Sequence, residues 1–221
     1  MTFLKGFAKQ LSESEVSVKE IHSNIFIVED FIPQETIDAC FDIINKTTES
    51  EWSSFYLENL KTFCMEKFNR DDVENLVAEG KFEITENWAD KNLYIPDSLI
   101  AKTIIKRIND LIEKTDPSLA LIGCHTIQRM YDGVELFSHT DVHTDPSIQY
   151  AAIFYLNDDY EGGQLFFENL NISLKPKSGS LVLFPGTEEF KHGVTTVFPG
   201  PTRYVLVGFI KTKDFYNKNK F

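Results

Sequence analysis

The sequence predicts an α+β, mainly β protein: a double-stranded β-helix, or jelly roll, with N-terminal and mid-chain helices packed on one of its sheets. Two observations predict it. After Ser118 the spacing of apolar residues changes from helical to strand-like. Short runs then follow at 120–130, 135–141, 148–156, 164–168, 171–175, 180–184, 192–197 and 202–211. Between them stand chain-turning residues: Asp132-Gly133, Asp158-Asp159, Gly162-Gly163, Lys177-Ser178-Gly179, Pro185-Gly186 and Pro199-Gly200-Pro201. Closely spaced short strands of this kind make a sandwich or barrel, and this number fits two sheets of a jelly roll.

The elements before that switch read as follows. Residues 1–17 are polar and are expected to be a frayed, flexible start. Ile25-Phe26-Ile27-Val28 is a β-branched run and reads as a strand. After Phe31-Ile32-Pro33 comes a helical pattern with Ile37, Phe41, Ile43 and Ile44 on one side, and Pro33 suits its first turn. Within 49–95, charged and aromatic, Leu60 to Glu79 looks helical in pieces. Pro96-Asp97-Ser98 opens the strongest helix, whose Leu99, Ile100, Ile104, Ile105, Ile108, Leu111 and Ile112 recur at three- and four-residue spacing. Asp97 or Ser98 can cap it, and Lys114 with Asp116-Pro117 ends it. The expected organisation is a single domain. Residues 18–118 form its helical support and rim, 119–212 its jelly-roll core, and 213–221 a tail.

Composition excludes several roles. Acidic residues number 34 against 22 basic, a net charge of −12, whereas a sequence-independent grip on nucleic acid needs Lys and Arg on phosphates. The basic stretches, Lys175-Pro176-Lys177 and Lys211 to Lys220, read as solvated charges. No apolar run approaches the roughly 20 residues that span a bilayer, and Met1 to Gln10 lacks a cleavable leader pattern. Cys40, Cys64 and Cys124 are too few and too scattered for a disulfide framework or zinc knuckle. The expectation is a soluble, cytoplasmic protein with buried free thiols and no nucleic-acid or membrane partner.

One constellation carries chemistry. In a strand, residues separated by one point to the same face, so His139-Thr140-Asp141 can present an imidazole beside a carboxylate. His192, from a later strand, adds a second imidazole. Two His and one carboxylate cover one face of an octahedral Fe(II) and leave three positions open. Structural zinc fits less well, since its sites are closed by four ligands and rich in Cys. Arg203, one hairpin beyond His192, can grip a co-substrate carboxylate through two points. His143-Thr144-Asp145 repeats the spacing. His143 and Asp145 precede Pro146 and read as loop beside the pocket; spacing alone does not settle which pair would hold a metal. Gly162-Gly163 lacks the Lys-Ser/Thr and following helix of a phosphate loop and reads as a turn.

Over about 120–211 the sequence resembles the Fe(II)- and 2-oxoglutarate-dependent dioxygenases, in their prolyl 4-hydroxylase-like branch. The resemblance rests on an ordered series: Tyr131-Asp132-Gly133, His139-Thr140-Asp141, Phe154-Tyr155-Leu156-Asn157, Glu161-Gly162-Gly163-Gln164-Leu165, Lys175 to Ser180, Leu183-Phe184-Pro185, His192-Gly193-Val194 and Arg203-Tyr204. It implies that His139, Asp141 and His192 hold the iron and that Arg203 pairs with the distal carboxylate of 2-oxoglutarate. It implies that Tyr155 helps hold that carboxylate and that Tyr131 lines the iron pocket. It implies Fe(II), 2-oxoglutarate and O2, with ascorbate as an auxiliary reductant. Halogenating relatives carry a small residue in place of Asp141, so its carboxylate points to hydroxylation.

The expected function is hydroxylation of a C–H bond, in a prolyl residue of a peptide or protein, with release of succinate and CO2. Residues 49–95 would build the substrate rim, where Trp52, Phe55, Tyr56, Trp88 and Tyr94 either line a peptide groove or fill core. The alternatives are hydroxylation of a free amino acid or other small metabolite, a jelly-roll binding module without turnover, and a cupin-like hydrolytic metalloenzyme. The last leaves Arg203 and Tyr155 without a role.

Overall fold

The computed structural model describes residues 3–12, 16–52, 91–94 and 99–213. The chain builds two antiparallel sheets. Helix α1 (Phe3–Ser12) precedes the hairpin β1 (Val18–His22) and β2 (Ile25–Val28), which turns through Asn24 at φ 71°. Helix α2 (Gln34–Lys46) follows, then β3 (Lys91–Tyr94) and α3 (Leu99–Thr115). The core strands are β4 (Leu119–Met130), β5 (Leu136–His139), β6 (Ile148–Tyr155), β7 (Leu165–Phe167), β8 (Ile172–Leu174), β9 (Leu181–Pro185), β10 (His192–Val194) and β11 (Arg203–Thr212).

Strand order is β1-β2-β9-β6-β11-β4-β3 in the larger sheet and β5-β10-β7-β8 in the smaller. The strands from β4 to β11 are the runs expected from the sequence, split between two facing sheets as a jelly roll requires. Side chains alternate with the two-residue period of a strand. On β6, Ala151 and Tyr155 face the space between the sheets; Ala152 and Phe154 face the helices. On β9, Val182 and Phe184 face inward while Leu181 and Leu183 face out. The outer face is closed by Ile37, Cys40 and Ile44 of α2 and by Ile104, Ile108 and Ile112 of α3. The expected helices therefore cover one sheet and leave the inner space to the site.

Residues 3–12 depart from the expected frayed start. Leu4, Phe7 and Leu11 recur along one face of α1 and are buried in that outer core, and Phe3 stacks on Tyr150 at 4.8 Å. A helix this short is marginal alone; docking against α3 and the sheet holds it. For Trp52 the outcome is core. It is buried between helices and sheet, with the Arg129 guanidinium 4.3 Å from its ring. Tyr94 lies on β3 and its side chain is outside the described residues. Phe55, Tyr56, Trp88, Leu60 to Glu79, the Asp97 and Ser98 caps and Cys64 lie outside the described residues. Cys40 is a free buried thiol, pushed up to about 12 by burial. Two of the basic residues singled out above have internal partners, Lys175 at the Tyr160 carbonyl and Lys211 at Asp145. Among the described residues no helix is long and apolar enough to cross a membrane.

Candidate metal centre and anion pocket

β5 and β10 are neighbours in the smaller sheet, and His139 and His192 are direct register partners. Their rings lie 4.6 Å apart. Asp141 is not in the strand, as a run to 141 had implied. β5 stops at His139, Thr140 stays extended (φ −122°, ψ 137°), and Asp141 opens a single helical turn, α4 (Asp141–Thr144). The extended Thr140 keeps the two ligating residues on one side, and the turn brings the carboxylate between the imidazoles. Asp141 Oδ1 is 3.8 Å from His139 Nε2, and Oδ2 is 3.9 Å from His192 Nε2. The ligand atoms of all three lie within 4.8 Å of one another. The turn docks closely on the loop after β9. Val142 N–H donates to the Gly186 carbonyl, and a Cβ at Gly186 would stand 3.0 Å from Asp141 Cβ.

These residues fit a metal ion. His139 Nδ1 lies 2.9 Å from the Phe137 carbonyl and His192 Nδ1 lies 3.1 Å from that of Phe190. A carbonyl only accepts, so each Nδ1 carries the proton and each Nε2 lone pair faces the shared space. Burial drives the His192 imidazole down to about 3, helped by neighbouring His139 and opposed by the Phe190 carbonyl. Burial also lowers His139, against the Phe137 carbonyl. Both rings are therefore neutral and available as ligands. Burial pushes Asp141 up to about 7, and its Oδ2 has no hydrogen-bond partner. A carboxylate oxygen orphaned between two imidazole lone pairs is what a divalent cation would satisfy.

Packing holds the ligands in place. Phe184 meets the His192 ring edge-on at 4.5 Å. On the outer face, Glu168 accepts from Ser138 Oγ at 2.6 Å and pairs with Lys191 at 2.9 Å. Ser138 and Lys191 each precede a ligating His, so one carboxylate clips the two His-bearing strands together. The second His-x-Asp pair is not brought to the site. His143 is exposed, and Asp145 accepts from Ser147 N–H, Ser147 Oγ and Lys211 Nζ at 2.8, 2.6 and 2.8 Å. His143→Ala should therefore bind Fe(II) or Mn(II) as the parent does, read by equilibrium titration; a tenfold loss would reinstate the second pair.

Arg203 opens β11 and points between the sheets, 1% exposed. Its Nη2 donates to the Tyr155 hydroxyl at 3.3 Å and its Nη1 to Met130 Sδ at 3.5 Å. Its Nε is buried without a partner. No carboxylate pairs with it among the described residues. A buried charge without a counter-charge costs several kcal/mol, so the pocket is built for an anion. His139, Asp141, His192 and Arg203 line one cavity, with Gln128, Leu136, Ile153, Val207 and Phe209 among its walls.

Tyr155 is fully buried against Arg203, with the guanidinium carbon 5.1 Å from its ring. Tyr131 packs half-buried against Met130, Val134 and Leu136; neither it nor Tyr155 is among the residues that wall the cavity, Tyr155 reaching it only through Arg203. Sequence reasoning missed Gln128, Met130 and Tyr160. Gln128 carried a signal, a polar residue in register with the inward-facing Val205 of β11. Tyr160 carried only its place two residues before the Gly162-Gly163 turn.

Residues 125–211 match the family model of the 2OG-Fe(II) oxygenase superfamily. Over that stretch the chain is similar to the superfamily, and the His139–Asp141–His192 cluster, which falls within it, is the candidate metal site. Human prolyl 3-hydroxylase 2 is 37% identical over 65 residues, 27% of this chain; the chain spans only 9% of that relative's length. A PKHD-type hydroxylase of Prochlorococcus marinus is 26% identical over 162 residues, 70% of this chain and 72% of its own. Among solved structures, the fold is shared with two prolyl hydroxylases. One, from Trichoplax adhaerens in complex with a hypoxia inducible factor oxygen degradation domain peptide fragment, gives a TM-score of 0.66 at 14% identity, covering 98% of this chain and 92% of that one. The other, a Pseudomonas putida prolyl-4-hydroxylase, gives 0.61 at 15%, covering 96% and 100%.

Proposed function

We propose that this enzyme hydroxylates a prolyl residue in a peptide or protein, with His139, Asp141 and His192 holding Fe(II) and Arg203 and Tyr155 holding the distal carboxylate of 2-oxoglutarate. The observation that carries the reading is the buried Arg203, without a carboxylate partner among the described residues, lining the same cavity as the three donors. A dianionic keto acid would meet both needs, chelation at the metal and a counter-charge for the guanidinium. The peptide substrate rests on likeness: several relatives and structural neighbours are prolyl hydroxylases, and the Trichoplax enzyme was solved with a peptide. A shared fold hosts many substrates, so this part needs its own test.

When bound, the iron would supply the oxidising chemistry with O2, one oxygen atom going to succinate as 2-oxoglutarate loses CO2 and the other turning a substrate C–H into C–OH. The chain's own residues do the rest. The neutral imidazoles of His139 and His192, pinned by backbone carbonyls, present two nitrogen ligands without charge. Asp141 supplies the one negative charge and leaves no room for a halide in its place. Arg203 fixes the far end of the keto acid through its planar fork, and the walls of Leu136, Ile153, Val207 and Phe209 keep water from the centre.

A library of Pro-containing peptides, incubated with enzyme, Fe(II), 2-oxoglutarate and ascorbate, should yield at least one product heavier by one oxygen, labelled from 18O2 and not from water. If a free amino acid or other metabolite stimulates succinate formation and no peptide does, the prolyl assignment falls and the iron chemistry stands. Complete absence of succinate would favour a binding module without turnover.

A further inference from the structure

Arg203 is flanked by two phenols. Tyr155 ends β6, and Tyr160 lies in the loop before β7; both are fully buried. The guanidinium carbon stands 5.1 Å from the Tyr155 ring centroid and 5.9 Å from that of Tyr160. Tyr155 accepts from Arg203 Nη2, which leaves its own proton to donate. The buried Tyr160 hydroxyl lies close enough to the Arg203 guanidinium to be stabilised by it, yet no acceptor takes its proton, and Arg203 Nε is buried without a partner. The pocket thus holds several donors and too few acceptors. A carboxylate, which only accepts and offers two oxygens, is the complementary group.

We propose that Tyr160 is a further co-substrate-binding residue, donating its hydroxyl to the distal carboxylate of 2-oxoglutarate beside Arg203 and Tyr155. The inference rests on the keto-acid reading of the cavity and adds to it a residue outside the sequence series that carried the family resemblance. The backbone is arranged to place this phenol. Gly163, at φ +57°, packs so closely that a Cβ there would lie 3.1 Å from Arg203 Cδ and 3.2 Å from Tyr160 Cδ2. The glycine therefore lets the guanidinium and the phenol occupy the same space behind the turn. Lys175 donates to the Tyr160 carbonyl and stands 5.1 Å from its ring centroid, which fixes the residue and adds a second cation to the anion side. Burial pushes the phenol up to about 12, with Arg203 opposing, so it remains a proton donor near neutral pH.

The test is calorimetric binding of 2-oxoglutarate to the Mn(II)-loaded protein without O2, so that no turnover is needed. Tyr160→Phe removes only the hydroxyl. It should weaken 2-oxoglutarate binding about threefold to tenfold, the worth of one hydrogen bond, with Mn(II) affinity unchanged. Arg203→Ala, run alongside, should weaken it more. If Tyr160→Phe binds 2-oxoglutarate as the parent does while Arg203→Ala binds it poorly, the Tyr160 assignment is wrong and the pocket reading stands. Indifference of both variants overturns both. A lower Tm of ligand-free Tyr160→Phe with an unchanged Kd assigns the residue to packing and also overturns the proposal.

Discussion

His139→Ala, Asp141→Ala and His192→Ala should each lower Fe(II)-dependent succinate formation by at least about a hundredfold, since losing even a residue behind a metal ligand costs 10–100-fold. Each variant removes one of only three protein ligands from a centre whose donor atoms all fall within 4.8 Å. The three are not equivalent. Asp141 supplies the only negative charge, so Asp141→Asn, which keeps the shape, should lose metal affinity nearly as fully as Asp141→Ala. His192 lies more deeply than His139 and is packed by Phe184, so His192→Ala also leaves a cavity and should unfold at lower temperature. Metal titration of the folded variants, verified by circular dichroism, separates these effects. A His139→Ala or His192→Ala protein with parental iron affinity would remove that residue from the centre.

Arg203→Ala should raise the 2-oxoglutarate requirement by at least about tenfold, given roughly 1.5–3 kcal/mol for a hydrogen bond to a charged group and 1.4 kcal/mol per decade. Iron affinity without keto acid should hardly change, because Arg203 makes no contact with the three ligands. The ligand-free protein should lose little stability for want of the charge itself, since the guanidinium has no carboxylate partner among the described residues; any loss should come from the vacated volume. Arg203→Lys should recover only part of the binding, because an ammonium is a point charge without the planar fork. Equal 2-oxoglutarate binding in Arg203→Ala and the parent would refute the co-substrate role.

The jelly roll was legible because a strand's two-residue period and its turn residues are local. Gly162-Gly163 and Pro185-Gly186 announced breaks where the structure turns, and the runs between them became β4 to β11. The ligand series was legible for a different reason. His139, Asp141 and His192 are residue types that favour metal ions, and Arg203 is a charge that needs a counter-charge; these are properties of the side chains, readable without the fold. His139 and not His143 stands beside Asp141 and His192, because the strand leading from Leu136 ends in His139 while His143 falls on the exposed side of the next turn.

Other features were hidden by their physics. α1 reads as a polar start because Lys5, Lys9 and Gln10 interrupt a short apolar pattern; the docking of Leu4, Phe7 and Leu11 in the helix–sheet core is what holds it as a helix. Tyr131 looked like a pocket residue from its neighbours in sequence, yet it packs against Val134 and Leu136 outside the cavity. Asp141 was expected on a strand and sits on a helical turn, a distinction of one residue that alternating patterns do not resolve.

By itself the sequence determined the class of fold and singled out a candidate His–Asp–His set and an arginine suited to an anion, since periodicity and residue chemistry are properties of the chain. Only the tertiary structure decided that His139 and His192 face each other across β5 and β10, that Asp141 Oδ2 is left without a partner between them, and that Arg203 is buried between two phenols with no carboxylate to pair it. Those facts depend on which distant strands pair and on what packing excludes, and neither is written in local spacing.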